Sequence, residues 1–155
     1  PQEDLSVAVA QSEGFKLYPV KATVHFKDGS AKSFTAFSSF ELLRGNGQAM
    51  YLKLTGHFNG VAMTQKLMGT GLVFSTPMGS TATNYSNDGP TIPMGGPPQM
   101  ILSDIGIKNP AGFNQIVSGP DDYYEVECAE NPVKRPLVIS VDGQEIAQDK
   151  INNPA

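Results

Sequence analysis

Three dipeptides constrain this chain more than anything else in it: Asp28-Gly29, Asn59-Gly60 and Asp142-Gly143. The first two stand between runs in which apolar and polar residues alternate, LYPVKATVHFK before SAKSFTAF and QAMYLKLTGHF before VAMTQKL. Asp-Gly or Asn-Gly at such a junction supplies the positive φ angles that a tight antiparallel hairpin demands. The pattern predicts a hairpin about Asp28-Gly29, strands near 48–58 and 61–67, and a further turn at Asp142-Gly143. GLVFST, QMILS, NQIVSG, YYEVECA and PLVISVDGQEI each read as one more short strand, bounded by Pro, Gly or acids.

Sixteen Gly and twelve Pro punctuate these runs, which leaves room for helix only in small pieces. The expected fold is therefore all-β, a two-layer, sandwich-like domain over residues 1–155 with one or two short helices. One of these is expected over Pro1 to Val9, within an N-terminal extension of residues 1–14, and one after Ser80. PTIPMGGPP (90–98) reads as an exposed connection and 149–155 as a flexible tail.

Several functions fall away on composition. Bases are scattered singly and the formal charge is −4, which argues against a phosphate-backbone binder and so against nucleic acid as partner. No apolar run reaches a membrane span, and the opening PQEDLSVAV carries acids where an export signal would carry bases, so no membrane partner is expected. A single Cys128 cannot close an internal disulfide, which fits a reducing, cytoplasmic setting, and its place in YYEVECA predicts a buried structural strand position. His25 and His57 lie in alternating strands without ligand-spaced partners and read as partly exposed sheet histidines, so no metal is assigned. Gly-x-Ser-x-Gly, His-Glu-x-x-His and Gly-x-x-x-x-Gly-Lys-Ser/Thr are all absent.

One stretch is richer. In GLVFSTPMGSTATNYSNDGP (71–90) an apolar strand breaks into the hydroxyls of Ser75, Thr76, Ser80 and Thr81, with Pro77 fixing direction and Gly79 permitting close backbone approach. Ser80 could cap a short helix through Thr81, Ala82 and Asn84, leaving amides that suit phosphate or nucleobase edges. On composition two readings stand, a ligand loop and an ordinary surface turn.

The order of residues goes further. The stretch resembles the NAD kinase signature, in which a short apolar run is followed by STPTGSTAY and S-x-GGP. VKATVHFKDGSAKSFTAFSSFELL resembles the family segment in which a hairpin leads into Ala-Leu-Asn-Glu, with Glu41 in place of the glutamate, and PLVISVDGQ resembles the closing strand and turn. The likeness runs from about residue 15 to 148 and implies the C-terminal, β-rich, dinucleotide-binding domain of that family. The family's N-terminal α/β domain carries a Gly-Gly-Asp-Gly that supplies the catalytic base and borders the ATP phosphates, and no GGDG occurs here.

Carried over by position, the resemblance implies a ligand site made of Phe40, Glu41, Thr70, Thr76, Met78, Gly79, Ser80, Thr81, Ala82, Thr83 and Ser86. Thr76, Gly79, Ser80, Thr81, Ala82 and Ser86 match the motif. Phe40 replaces the adenine-facing Asn and could stack on a base instead. Thr70 replaces an aspartate that in the family reaches the ligand across a subunit boundary. Met78 replaces a small polar residue, and Thr83 an aromatic that Tyr85 could recover only on a different backbone path.

The implied function is a non-catalytic nucleotide-binding module for NAD, NADP or another adenine-containing nucleotide, acting as sensor or sponge. No prosthetic group is expected, and a dimer or tetramer is. The alternatives are the C-terminal portion of a complete ATP-dependent NAD kinase, which Pro1 in place of Met would suit, and an assembly domain with a decayed site.

Overall fold

The computed structural model describes residues 14, 16–26, 28–110, 113, 115–128 and 134–146, and it is built of antiparallel strands. β1 (Val20–His25) and β2 (Ala31–Ala36) form a two-stranded hairpin. β3 (Ser39–Arg44), β6 (Gly71–Ser75), β7 (Met100–Ile105), β8 (Ile116–Ser118), β10 (Leu137–Val141) and β11 (Gln144–Ile146) make a six-stranded sheet in the order β11-β10-β3-β6-β7-β8. β4 (Met50–Phe58), β5 (Val61–Gly69) and β9 (Tyr123–Cys128) make a three-stranded sheet in the order β5-β4-β9.

All three turns act as their sequences dictate. Asn59-Gly60 joins β4 to β5 and Asp142-Gly143 joins β10 to β11, each with both φ angles positive (49° and 81°, 49° and 78°). That mirror-image turn matches the twist of the strands it connects. The Asp28-Gly29 turn has positive φ at Gly29 only, and Asp28 Oδ1 accepts the Ser30 amide at 2.8 Å, an Asx arrangement that closes the longer loop.

The core lies between the six-stranded sheet and a second layer made of the other two sheets. Phe40, Leu42, Leu72, Phe74, Leu102, Leu137 and Ile139 come from the first, Met50, Leu52, Leu54 and Leu67 from the three-stranded sheet, and Ala36 from the hairpin. A cavity of about 590 Å³ remains between the layers, lined by β1, by Phe40, Leu42 and Phe74, and by Tyr124 and Val126 of β9. Burial raises the Tyr124 hydroxyl above its ordinary pKa; its hydrogen bond with Ser118 pulls the other way, and the Asp122 charge adds to the rise.

β3 has no turn signal or clean alternation to announce it. As an inner strand of the six it buries Ser39, Phe40 and Leu42 together, while Glu41 and Leu43 stay half-buried. Cys128 corrects the sequence reading. It follows Tyr124 and Val126 on the core-side face of β9, but the strand ends there and the residue is exposed. The expected helix over Pro1–Val9 and the tail 149–155 lie outside the described residues. Among those described, no helix is long and apolar enough to cross a membrane.

Candidate functional site

The outer face of the six-stranded sheet, opposite the core, carries the loop. Phe40 and Leu42 point into the core, so the alternation of β3 turns Ser39 and Glu41 outward. Across the sheet Ser39 is level with Ser75, and Glu41 with Val73 and then Ser103. Ser39 Oγ donates to Glu41 Oε1 at 3.2 Å. The chain leaving β6 crosses this face as a turn of 3-10 helix (Met78–Thr81) and a single turn of α-helix, α1 (Thr83–Ser86). Glu41 and Ser103, to which α1 is tied, are two strands apart, about 10 Å.

Internal bonds fix this crossing at every step. Thr76 Oγ1 donates to the carbonyl of Phe37 at 2.6 Å and accepts the Gly79 amide at 3.1 Å, while the Thr76 amide donates to Ser38 O at 2.9 Å. Gly79 lies against the Ser38 backbone so closely that a Cβ would come within 2.6 Å of its carbonyl carbon. Ser80 Oγ donates to Pro77 O at 2.7 Å and accepts the Ile92 amide at 3.1 Å. Asn84 is fully buried: its Nδ2 donates to Ser80 O (2.9 Å) and Pro90 O (2.8 Å), and its Oδ1 accepts from Ser103 Oγ. Ser75 Oγ, also fully buried, is the one buried side-chain polar atom among the described residues without a partner.

Asp142 anchors the arrangement from the opposite end of the sequence. Its carboxylate accepts the amides of Phe37 (2.9 Å), Ser38 (2.7 Å) and Ser39 (3.1 Å). Desolvation pushes the carboxyl upward, but these three donors outweigh it and hold its pKa below the ordinary value. Thr76 grips the carbonyls of Phe37 and Ser38, and the Ser39 carbonyl accepts the Asp142 amide, so the β10–β11 turn, the segment 37–39 and the loop are one connected structure.

The residues expected at the site therefore divide. Thr76, Gly79 and Ser80 are buried and spend their polar groups inside the loop. Met78, Thr81, Ala82 and Ser86 are exposed and Thr83 half-buried, on the face that Glu41 shares. Two residues lie apart. Phe40 is a core residue on the opposite face from Glu41 and lines the interlayer cavity. Thr70 precedes β6 while Thr76 follows it, so some six residues of extended chain, about 20 Å, separate Thr70 from the loop.

Two sequence-level details change. Ser80 caps no helix: Pro77 and Ala82 occupy the N-cap positions, and neither makes a side-chain cap bond. Gly79 serves packing against Ser38 rather than opening space for a ligand. Asn84, Ser103 and Asp142 escaped the sequence reading as site residues; the partner of Ser103 lies 19 positions away and those of Asp142 up to 105. Beside the loop, Leu17, Tyr18, Phe37, Met78 and Met94 form a partly exposed apolar rim about a shallow depression.

The comparisons with known proteins follow this geometry. No family model matches the chain. The NAD kinase of Xylella fastidiosa (strain Temecula1) is 30% identical over 144 residues, 93% of this chain. This is an NAD kinase-like domain. It spans about half the length of the curated relatives it matches, 54% of the Xylella protein, and fits the C-terminal domain of such a kinase. Among solved structures, yeast NADH kinase complexed with NADH superposes with a TM-score of 0.69 at 19% identity, over 83% of this chain and 35% of that one. An NAD kinase from Archaeoglobus fulgidus in complex with ATP gives 0.66 at 19% identity, over 94% and 54%. The NAD kinase-like domain thus has the β architecture of those enzymes.

Proposed function

We propose that the NAD kinase-like domain is a nucleotide-binding module that holds NAD, NADP or another adenine-containing nucleotide on the outer face of the six-stranded sheet, between Glu41 and the loop. One observation carries this reading. The motif-matching residues Thr76, Gly79 and Ser80 are consumed in building the loop, and the others, Thr81, Ala82 and Ser86, are all turned outward beside it. A fixed loop with exposed hydroxyls, crossing the same sheet face that carries Glu41, suits a ribose and the edge of a base.

Phosphate transfer is a different matter. It rests on positioning and on electrostatic stabilisation of the transferred group. The 155 residues contain no GGDG to supply a base or border phosphates, so this stretch alone binds without transferring, as a sensor or sponge does. A second reading has its own support: the chain spans about half of its relatives, which suits the dinucleotide-binding half of a complete ATP-dependent kinase. The reading frame upstream of Pro1 separates the two. In either case self-association to a dimer or tetramer belongs to the proposal, because Thr70 is too far from the loop to meet the same ligand within one chain. The single thiol suits a cytoplasmic setting.

Calorimetric titration with NAD, NADP, ATP and ADP-ribose tests the reading. At least one should bind, and Glu41→Gln should weaken it by roughly 1–3 kcal/mol while leaving the melting curve in place. Binding that responds to Phe40→Ala and ignores Glu41→Gln would move the ligand to the interlayer cavity. No binding by any of the four would leave an assembly domain.

A further inference from the structure

The second layer is split. Among the described residues β1 pairs with β2 and β9 with β4, so the hairpin and the three-stranded sheet end on either side of a gap, and the cavity of about 590 Å³ lies there. Its floor is the core face of the six-stranded sheet, with Phe40, Leu42 and Phe74. Its walls are the inward faces of β1 (Val20, Ala22 and Val24) and β9 (Tyr124 and Val126). These wall residues are half-buried where the floor is buried, so the cavity opens to solvent along the gap.

Protein interiors leave few voids larger than a water molecule, whereas small-molecule sites run to about 300–1,000 Å³ and combine an apolar, aromatic lining with a few polar groups that fix orientation. This cavity has both parts. Phe40, Phe74 and Tyr124 contribute three rings, the last two with centroids 5.7 Å apart and planes tilted by 58°. At the Tyr124 end, where Gln99 also lines the cavity, the Tyr124 hydroxyl shares a hydrogen bond with the buried Ser118 Oγ. Two hydroxyls that share one such bond keep one O–H and several lone pairs for a third group. Charge is unbalanced here. The Asp122 carboxylate lines the same end and its charge acts on Tyr124, while alternation turns Lys21 and His25, the cations along β1, to the opposite face.

We propose that the interlayer cavity is a second binding site, for a neutral, flat, largely apolar molecule that carries one hydroxyl or carbonyl group. The rings and aliphatic side chains of floor and walls take the flat body, because offset and edge-on contacts between rings add to what area burial alone gives. The Tyr124–Ser118 pair and Gln99 take the polar group. An anionic ligand is disfavoured, since its charge would enter an apolar space beside Asp122 with no inward cation to meet it. The same argument excludes a nucleotide, so this site is distinct from the one proposed on the outer face and does not rest on it. One sheet separates the two: Phe40 points into the cavity and its neighbour Glu41 to the other side.

The test uses 6-propionyl-2-dimethylaminonaphthalene, a neutral fused-ring probe with one carbonyl whose emission moves to the blue in apolar surroundings. Titrated with the full chain, it should bind saturably, one probe per chain. Ala22→Leu and Val126→Phe, which enlarge opposite walls, should each raise its dissociation constant about tenfold or more without lowering the melting temperature, because the added atoms enter the cavity. Tyr124→Phe should weaken it about fivefold, the worth of one hydrogen bond. The anionic 1-anilinonaphthalene-8-sulfonate should bind more weakly than the neutral probe. Absence of saturable binding overturns the site and leaves the gap to another segment of the chain or to a different protein. Binding that ignores both wall variants overturns the location, tighter binding of the anion overturns the ligand class, and displacement of the probe by NAD overturns the separation of the two sites.

Discussion

Asp142 holds Ser38 by a 2.7 Å hydrogen bond from the Ser38 amide, across 104 positions of sequence, and through Ser38 it holds the loop that begins at Thr76. The carboxylate must be ionised to accept Phe37, Ser38 and Ser39 together, which is why its folded pKa lies below the ordinary value. A depressed carboxylate stabilises the fold fully above its unfolded pKa, near 4, and loses that contribution as pH falls through the folded value. Thermal melting between pH 7 and pH 2 should therefore show an acid limb that Asp142→Asn flattens. An unchanged acid limb in the variant would rule this role out.

Gly79→Ala should damage the loop rather than merely block it. Its new methyl group has nowhere to go except into the backbone of Ser38, and overpacking of this kind costs roughly 1–3 kcal/mol. Thr81→Gln is the counterpart: Thr81 is exposed, so the larger side chain should occupy ligand space and leave melting within about 0.5 kcal/mol of the parent. If both variants melt normally, the packing account of Gly79 fails.

Asn84→Ala removes two donors and an acceptor from a fully buried position and strands Ser103 Oγ and the carbonyls of Ser80 and Pro90. The expected loss is roughly 1–3 kcal/mol for each group that water cannot reach. Hydrogen exchange should quicken at Gly89, whose amide donates to Asn84 O, well before the β4 amides respond.

Leu72→Ala tests the core. Leu72 is fully buried in the middle of the six-stranded sheet, and truncation there should cost about 2–5 kcal/mol by urea unfolding. Lys53→Ala, which breaks an exposed ion pair with Glu127, should move stability by no more than about 1 kcal/mol.

What could be read from the sequence was local. Asn59-Gly60 and Asp142-Gly143 declare their turns because positive φ is a property of the residues themselves. β3 does not declare itself, since Ser39 is buried on the face opposite Phe40 and Leu42, and this blurs the alternation that marks a strand. In the loop, the residue types were legible and their directions were not. Thr76 and Thr81 look alike in sequence, yet one clamps Phe37 and the other faces out, and that choice is made by partners 38 and 39 positions away. Cys128 shows the same limit, because alternation gives its face but not where the second layer ends.

The long reach of Asp142 also bears on how the domain is born. Its bonds to Phe37, Ser38 and Ser39 span 103 to 105 residues, so a chain emerging from the ribosome can close the β1–β2 and β4–β5 hairpins from neighbouring residues long before this clasp exists. The face that would meet a nucleotide is thus among the last parts to set during synthesis. A nascent chain halted short of residue 142 would carry its hairpins and no finished loop.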